Sequence, residues 1–320
     1  MAIDSKCNHS KKVLDIVIPV YNDNPYLLGT LTSIFKQQLP NDWCFHVYIV
    51  DDGSEVPVSL DIPKENTSTV SLVRLEKNSG CSVARNQGAI AGNGEVILFL
   101  DADCSLAKAS ALALLLKEYE KGYDVCFGQI YAPQGDFWAK YQNEVARDRA
   151  DRFYEGEHSS MTTQVFMVRR NKFKSVGGFD ESYHFGFEDR DLFLSLIKIG
   201  AKISLAEKVV VNHNDQLSLS SVVKKLYGAG KNSSTRFIEK YPDEYSKLAY
   251  IKADVRYSPY LLKSLVILIK PMLPALVGML ERCITRTILP YSISKVLVKY
   301  VSGLYYLQGT YETKKGFNKG

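Results

Sequence analysis

Glu95–Cys104 reads EVILFLDADC. Five apolar residues, Val96 to Leu100, run directly into two aspartates separated by one alanine. A short unbroken apolar run that ends in polar residues has the pattern of a strand buried on both faces. Two carboxylates at its end repel each other and raise one pKa unless positive charge stands nearby. Oxygen ligands of this kind suit Mg2+ or Mn2+, which keep coordination positions open for phosphate oxygens. The plain alternative is a solvated turn, since D-x-D is a common short pattern.

Working outward, VLDIVIPV at 13–20, FHVYIV at 45–50 and VSLVRL at 70–75 read as further strands. Apolar spacing predicts helices over Tyr26–Gln38 and Ser82–Ala91 between them. This alternation predicts an α/β fold with a Rossmann-like, mostly parallel central sheet flanked by helices. YNDN, DDGS and DADC each follow a strand. In an open α/β sheet those carboxyl ends share one edge, where ligands bind. Downstream, helices are expected over Ala109–Lys121, Phe137–Tyr154, Leu192–Ile199 and Ser218–Lys240. Strands are expected over Tyr123–Gly128, Thr163–Val168 and Ala201–Val211.

A chain of 320 residues, 46% hydrophobic and 23% charged, can bury a sizeable core as one large domain with an appendage. The expected organisation is a polar extension over 1–12, a catalytic body over 13–215, a helical extension over 216–256 and a helical tail over 257–320. Net charge is +5, but the tail alone holds nine Lys/Arg against Glu281 and Glu312. Six cysteines (7, 44, 81, 104, 126 and 283) form no C-x-x-C pair, so zinc is not expected and reduced cytosolic thiols are. MAIDSKCNHSKK has no apolar h-region, so no signal peptide is expected. Basic residues do not alternate with aromatics, so no nucleic-acid partner is expected.

Asp51 and Asp52 could accept hydrogen bonds from a base or a ribose, although D-D-G-S also suits a simple Asx-turn. Arg85 could pair with a diphosphate or with Asp103. Glu188, Asp189 and Asp191 cluster at a predicted helix start, more acids than capping needs, which points to a carboxylate held for proton abstraction. His213 is a candidate third metal ligand or a structural histidine.

Taken together, IVIPVYNDN, IVDDGS, NSGCSVARNQG, ILFLDADC and VGGFDE…FGFEDRDL resemble, in order and approximate spacing, family 2 glycosyltransferases of the GT-A fold. The resemblance covers about residues 13–215. It implies an inverting, non-processive transferase that uses a nucleotide-diphosphate sugar, with UDP favoured. It implies that Pro19, Tyr21 and Asp52 hold the uracil and ribose, with Arg85, Asp101 and Ala102 along the nucleotide sugar. Asp103, Asp101 and His213 would hold Mn2+ or Mg2+, and Asp189 would be the base. Glu188 and Trp138 would meet the acceptor, a saccharide or lipid-linked saccharide in surface polysaccharide assembly. Trp138 also reads as ordinary core. No Q-x-x-R-W motif is present, unlike in the processive synthases of the family.

Within 260–283 the longest uncharged run is ten residues, Pro271–Leu280, against about 20 for a spanning helix. Lys263, Lys270 and Glu281 would share one helix face. The tail is expected to be amphipathic and drawn to an anionic membrane surface, on the inner face of the cytoplasmic membrane. Packing on the body or in a homo-oligomer is the alternative. Two rival functions are a haloacid dehalogenase-type phosphatase with Asp101 as nucleophile, and a non-catalytic sugar-nucleotide-binding scaffold.

Overall fold

The computed structural model describes residues 11–22, 24–59, 62–257 and 268–317. The chain forms two compact units. The first comprises Met1–Gly135, Gln142–Glu181 and Asp189–Asp215; the second comprises Asp136–Tyr141, Ser182–Glu188 and Gln216–Gly320.

The first unit runs β1 (Lys12–Val20), α1 (Asn24–Phe35), β2 (Trp43–Asp51), β3 (Val70–Arg74), α2 (Cys81–Ala91), β4 (Val96–Leu100), β5 (Cys104–Leu106), α3 (Ala111–Glu120) and β6 (Val125–Tyr131). It continues through α4 (Phe137–Tyr154), β7 (Val165–Arg169), α5 (Arg170–Ser175), α6 (Glu188–Lys198) and β8 (Ile203–His213). The eight strands form one sheet in the order β3-β2-β1-β4-β7-β6-β8-β5. Ladders β1–β2, β1–β4, β2–β3 and β6–β8 are parallel; those that involve β7 and β5 are antiparallel. The mostly parallel sheet is as expected, but the direction of β7 is not legible in an apolar run, and the sequence reading places no strand at β5. Because β7 opposes both β4 and β6, strands β1, β2, β4, β6 and β8 point the same way. Tyr21, Asp52, Asp101, Tyr131 and His213 therefore all lie at one edge.

Each sheet face carries a core. Leu27, Leu31 and Ile34 of α1 and Leu112, Leu115 and Leu116 of α3 pack on one side. Ala84 of α2 and Leu192, Phe193 and Leu196 of α6 pack on the other. There Phe99 stacks on Phe166, which stacks on Phe127. Each such buried ring contributes about 1.5–3 kcal/mol. Beneath them Arg170 donates to the buried Asp15 carboxylate and to the Gly94 and Ala89 carbonyls, tying β7 to β1. Cys44 is disulfide-bonded, which corrects the expectation of uniformly reduced cysteines. Cys81, Cys104, Cys126 and Cys283 are free.

In the second unit, Ser218 caps α7 (Leu219–Gly228) through a reciprocal capping box with Ser221. The helix expected over 218–240 forms, with a π segment, Ala229–Ser233, set between α7 and α8 (Ser234–Lys240). The cause is close packing. A Cβ on Gly230 would meet the Tyr306 carbonyl oxygen at 2.6 Å, and one on Gly309 would meet the Tyr227 carbonyl oxygen at 2.3 Å. The backbone of this stretch thus lies directly on the Tyr291–Phe317 helix. The Leu273–Thr285 helix completes the core: Val277, Leu280 and Ile284 join Leu219, Val223, Val298 and Val301. Lys270 precedes that helix and pairs with Glu312 at 2.8 Å, so it does not share a helix face with Glu281; Lys263 lies outside the described residues. Among the described residues no helix is long and apolar enough to cross a membrane.

Candidate active site

Each acidic cluster sits where a strand stops. At the end of β2, Asp51 accepts from the Ser54 and Val58 N–H groups at 2.8 and 3.1 Å, and from Arg74. Asp52 accepts from the Ser79 and Gly80 N–H groups at 2.7 and 2.9 Å, which fixes the loop into α2. Gly53 between them has φ +69°, and a Cβ there would meet the Lys77 carbonyl carbon at 2.3 Å. Only glycine allows this turn to lie on that backbone. Tyr21, after Pro19, remains 40% exposed at the same edge.

At the end of β4 the aspartates take side-chain partners. Arg85, buried in the second turn of α2, donates to Asp101 at 2.8 Å. Burial pushes the Asp101 carboxyl above its usual range; the Arg85 charge opposes this, and the charges of Asp103 and Asp189 add to it. Ala102 is held through its carbonyl by Thr30 at 2.7 Å. Asp103 lies 3.2 Å from Nε2 of His213. Burial works against the Asp103 charge, but the hydrogen bond and charge of His213 outweigh it and hold this carboxyl low. Burial likewise opposes the His213 charge, and the Asp103 contact overcomes it, so the imidazole lies above its usual range. Nδ1 of His213 donates to Oε1 of Gln142 at 2.5 Å. That contact orients the ring and leaves Nε2 toward Asp103.

Asp103, Cys104 and His213 offer ligand atoms within 4.8 Å of one another. An imidazole nitrogen and a carboxylate oxygen facing one point fit Mn2+ or Mg2+. Burial raises the Cys104 thiol well above its usual value, which keeps it a protonated, poor ligand. Asp101, expected beside these groups, is turned to Arg85 instead.

Asp189, in the first turn of α6, accepts from Oγ1 of Thr163 at 2.7 Å and from its N–H at 3.3 Å. Thr163 was not foreseen; a single threonine at a strand start carries no signal of its own. Glu188 is buried at the start of α6. Trp138, expected to meet the acceptor, is only 6% exposed and packs with Leu219, Val223 and Leu280 in the second unit's core. That is a correction. The indole's apolar partners come from residues far downstream, so the structure gives it the core reading.

The acids, the guanidinium and the histidine at the carboxyl edge of a Rossmann-like sheet define a GT-A architecture. The profile of glycosyl transferase family 2 matches residues 15–177, just over half of the chain, and the protein belongs to that family. A second profile, the N-terminal domain of galactosyltransferase, matches 146–215, the stretch that carries Asp189 and His213. The family match sets aside the phosphatase alternative. The pre-mycofactocin glycosyltransferase of Mycobacterium tuberculosis is 26% identical over 258 residues, covering 75% of this chain and 50% of that one. Human polypeptide N-acetylgalactosaminyltransferase 13 is 25% identical over 265 residues, covering 73% and 48%. The chain spans about half the length of these curated relatives. Among solved structures, the fold resembles the Pyrobaculum calidifontis mannosyltransferase PcManGT in complex with GDP-Man and Mn2+ (TM-score 0.57, 16% identity, 93% of this chain and 87% of that one). It also resembles GalNAc-T7 with UDP, GalNAc and Mn2+ (TM-score 0.54, 20% identity, 75% and 50%).

Proposed function

We propose that the protein is an inverting, non-processive glycosyltransferase. It moves a sugar from a nucleotide-diphosphate donor, a UDP-sugar, to a hydroxyl of a saccharide or lipid-linked saccharide in surface polysaccharide or glycoconjugate assembly. The observation that carries this reading is the pairing of two acid groups at one sheet edge. Asp103 lies beside His213, and Thr163, which holds Asp189, directly precedes Gln164, whose carbonyl accepts from the Asp101 N–H at 3.2 Å. Relatives and fold neighbours named for sugar transfer, UDP or GDP-Man support the donor class.

In this reading, attack on an anomeric carbon needs a proton acceptor for the nucleophile and positive charge for the leaving group. Asp189 takes the proton of the acceptor hydroxyl, and the two donors of Thr163 hold its carboxylate in one orientation. The buried Arg85 guanidinium stands where diphosphate charge collects. Pro19, Tyr21, Asp52 and Ala102 line the nucleotide, and Glu188 faces the acceptor. Asp103 and His213 would hold a divalent cation, which would supply charge neutralisation for the departing nucleotide. A single displacement inverts the anomeric configuration.

The decisive test is release of UDP from UDP-sugars with and without Mn2+. Asp189→Asn should lower turnover about 10²–10⁴-fold while donor binding persists; full turnover in this variant would eliminate the base assignment.

The tail supports the proposed attachment to the inner face of a cytoplasmic membrane. Ile293, Val296, Leu297 and Tyr300 recur at helical spacing on the exposed side of the last helix. Met272 and Met279 are exposed on the preceding segment, with Arg282 and Arg286 following at the same spacing. Exposed apolar side chains followed by cations at helical spacing fit an anionic bilayer interface. Ile293→Ser/Val296→Ser/Tyr300→Ser protein should no longer sediment with phosphatidylserine vesicles that capture the wild type; undiminished sedimentation would refute the attachment.

A further inference from the structure

A cavity of about 510 Å³ opens in the first unit between α4, β6 and β8. It adjoins the groups that brace the site acids. Asn143 on its wall follows Gln142, the partner of His213; Thr162 on its wall precedes Thr163, the partner of Asp189. Its volume is that of a small-molecule site.

We propose that this cavity receives the sugar residue of the acceptor, and that this residue carries an anionic group read by Arg147. The inference rests on the glycosyltransferase reading and deepens it by naming the acceptor's chemical class. Asn143, Arg147, Ala150 and Tyr154 follow one another at intervals of four, three and four residues, so one face of α4 forms the wall. Tyr131 and Tyr154 line the cavity at 48% and 58% exposure. Such amphipathic rings offer an apolar face to a sugar and a hydroxyl at the rim. The Tyr154 hydroxyl donates to Glu207, which fixes that ring and engages the acid of β8. Arg147 is exposed and has no hydrogen-bond or ion-pair partner among the described residues, although Asp151 lies one turn away. A planar guanidinium standing free on a rigid helix is preorganised for two-point contact with a carboxylate or a phosphate.

The test is saturation-transfer NMR on the full chain with Mg2+ and UDP present, using glucuronic acid, glucose 1-phosphate and glucose as probes. At least one acidic sugar should bind at least about tenfold more tightly than glucose, the effect of one charge-assisted contact. Whether the carboxylate or the phosphate wins identifies a uronic acid or a sugar phosphate as the source of the charge. Arg147→Ala should abolish the preference, Arg147→Lys should restore part of it, and Tyr131→Ala should weaken all probes alike. Equal binding of glucose, a preference that survives Arg147→Ala, competition between the acidic sugar and UDP, or no probe binding beside bound UDP would each overturn the inference. Failure of the wild type to bind UDP would overturn the donor reading beneath it and, with it, this inference.

Discussion

Two acidic pairs close β2 and β4, the strands on either side of β1, and they are used in opposite ways. Asp51 and Asp52 are wired into the chain: four backbone N–H groups and Arg74 occupy them, and the Asp51 side chain is fully buried. Asp101 and Asp103 accept instead from Arg85 and His213, and their side chains keep 26% and 19% of their exposure. A carboxylate answered by backbone donors fixes a loop. One answered by other ionisable side chains, with a face left open, is available to a ligand. D-D-G-S and D-A-D look alike as strings; the identity of their donors separates them.

That contrast can be broken by substitution. The largest effect is expected from Asp103→Asn, which should lower UDP release about 10²–10³-fold, as loss of one preorganised electrostatic group does. Its cost in stability should be smaller than that of Asp51→Asn. In turn, Asp51→Asn should lower unfolding free energy by about 2–3 kcal/mol, since charge-assisted bonds to backbone are lost; the half-exposed Arg74 adds little. Denaturant titration measures both. The Ser54 and Val58 hydrogen bonds outweigh burial and hold Asp51 below its ordinary 3.8. Its contribution is therefore complete above that value and is lost as pH falls through the lower folded value. Asp51→Asn should flatten this acid limb of the stability profile. The smallest effect is expected at Thr163→Val, about tenfold in turnover with donor binding retained, because Asp189 stays in place at the start of α6 but loses its 2.7 Å brace. A Thr163→Val protein with full turnover would mean that the hydroxyl orients nothing of consequence.

Legibility followed the range of the forces involved. β1, β2 and β4 announce themselves because a strand buried on both faces must be apolar throughout. The acids at their ends and His213 were visible for the same reason: each lies beside a run whose end is plain; Arg85 was visible through the NSGCSVARNQG motif. β5 has three residues and begins at the cysteine that closes the acidic motif, so no run marks it. The reversal of β7 is a matter of connection, which composition does not encode. Gln142 and Thr163 act over 71 and 26 residues of sequence separation, and a lone amide or hydroxyl does not reveal its partner. Trp138 shows the same limit, since side chains that come much later in the chain surround it. The helix expected over 218–240 forms, but its π segment around Gly230 was not legible, because a requirement for close approach looks like a weak helix former.

The glycine seam between Gly230 and Gly309 bears on how lipid affinity could be judged. Because the last helix lies main chain against main chain on its neighbour and shares its oily interior, cutting the protein short would lay bare Leu219 and Val223. Such a fragment would become sticky for reasons unrelated to any bilayer, and clumping could pass for adhesion. Only changes confined to the outward row of that helix can tell the two apart.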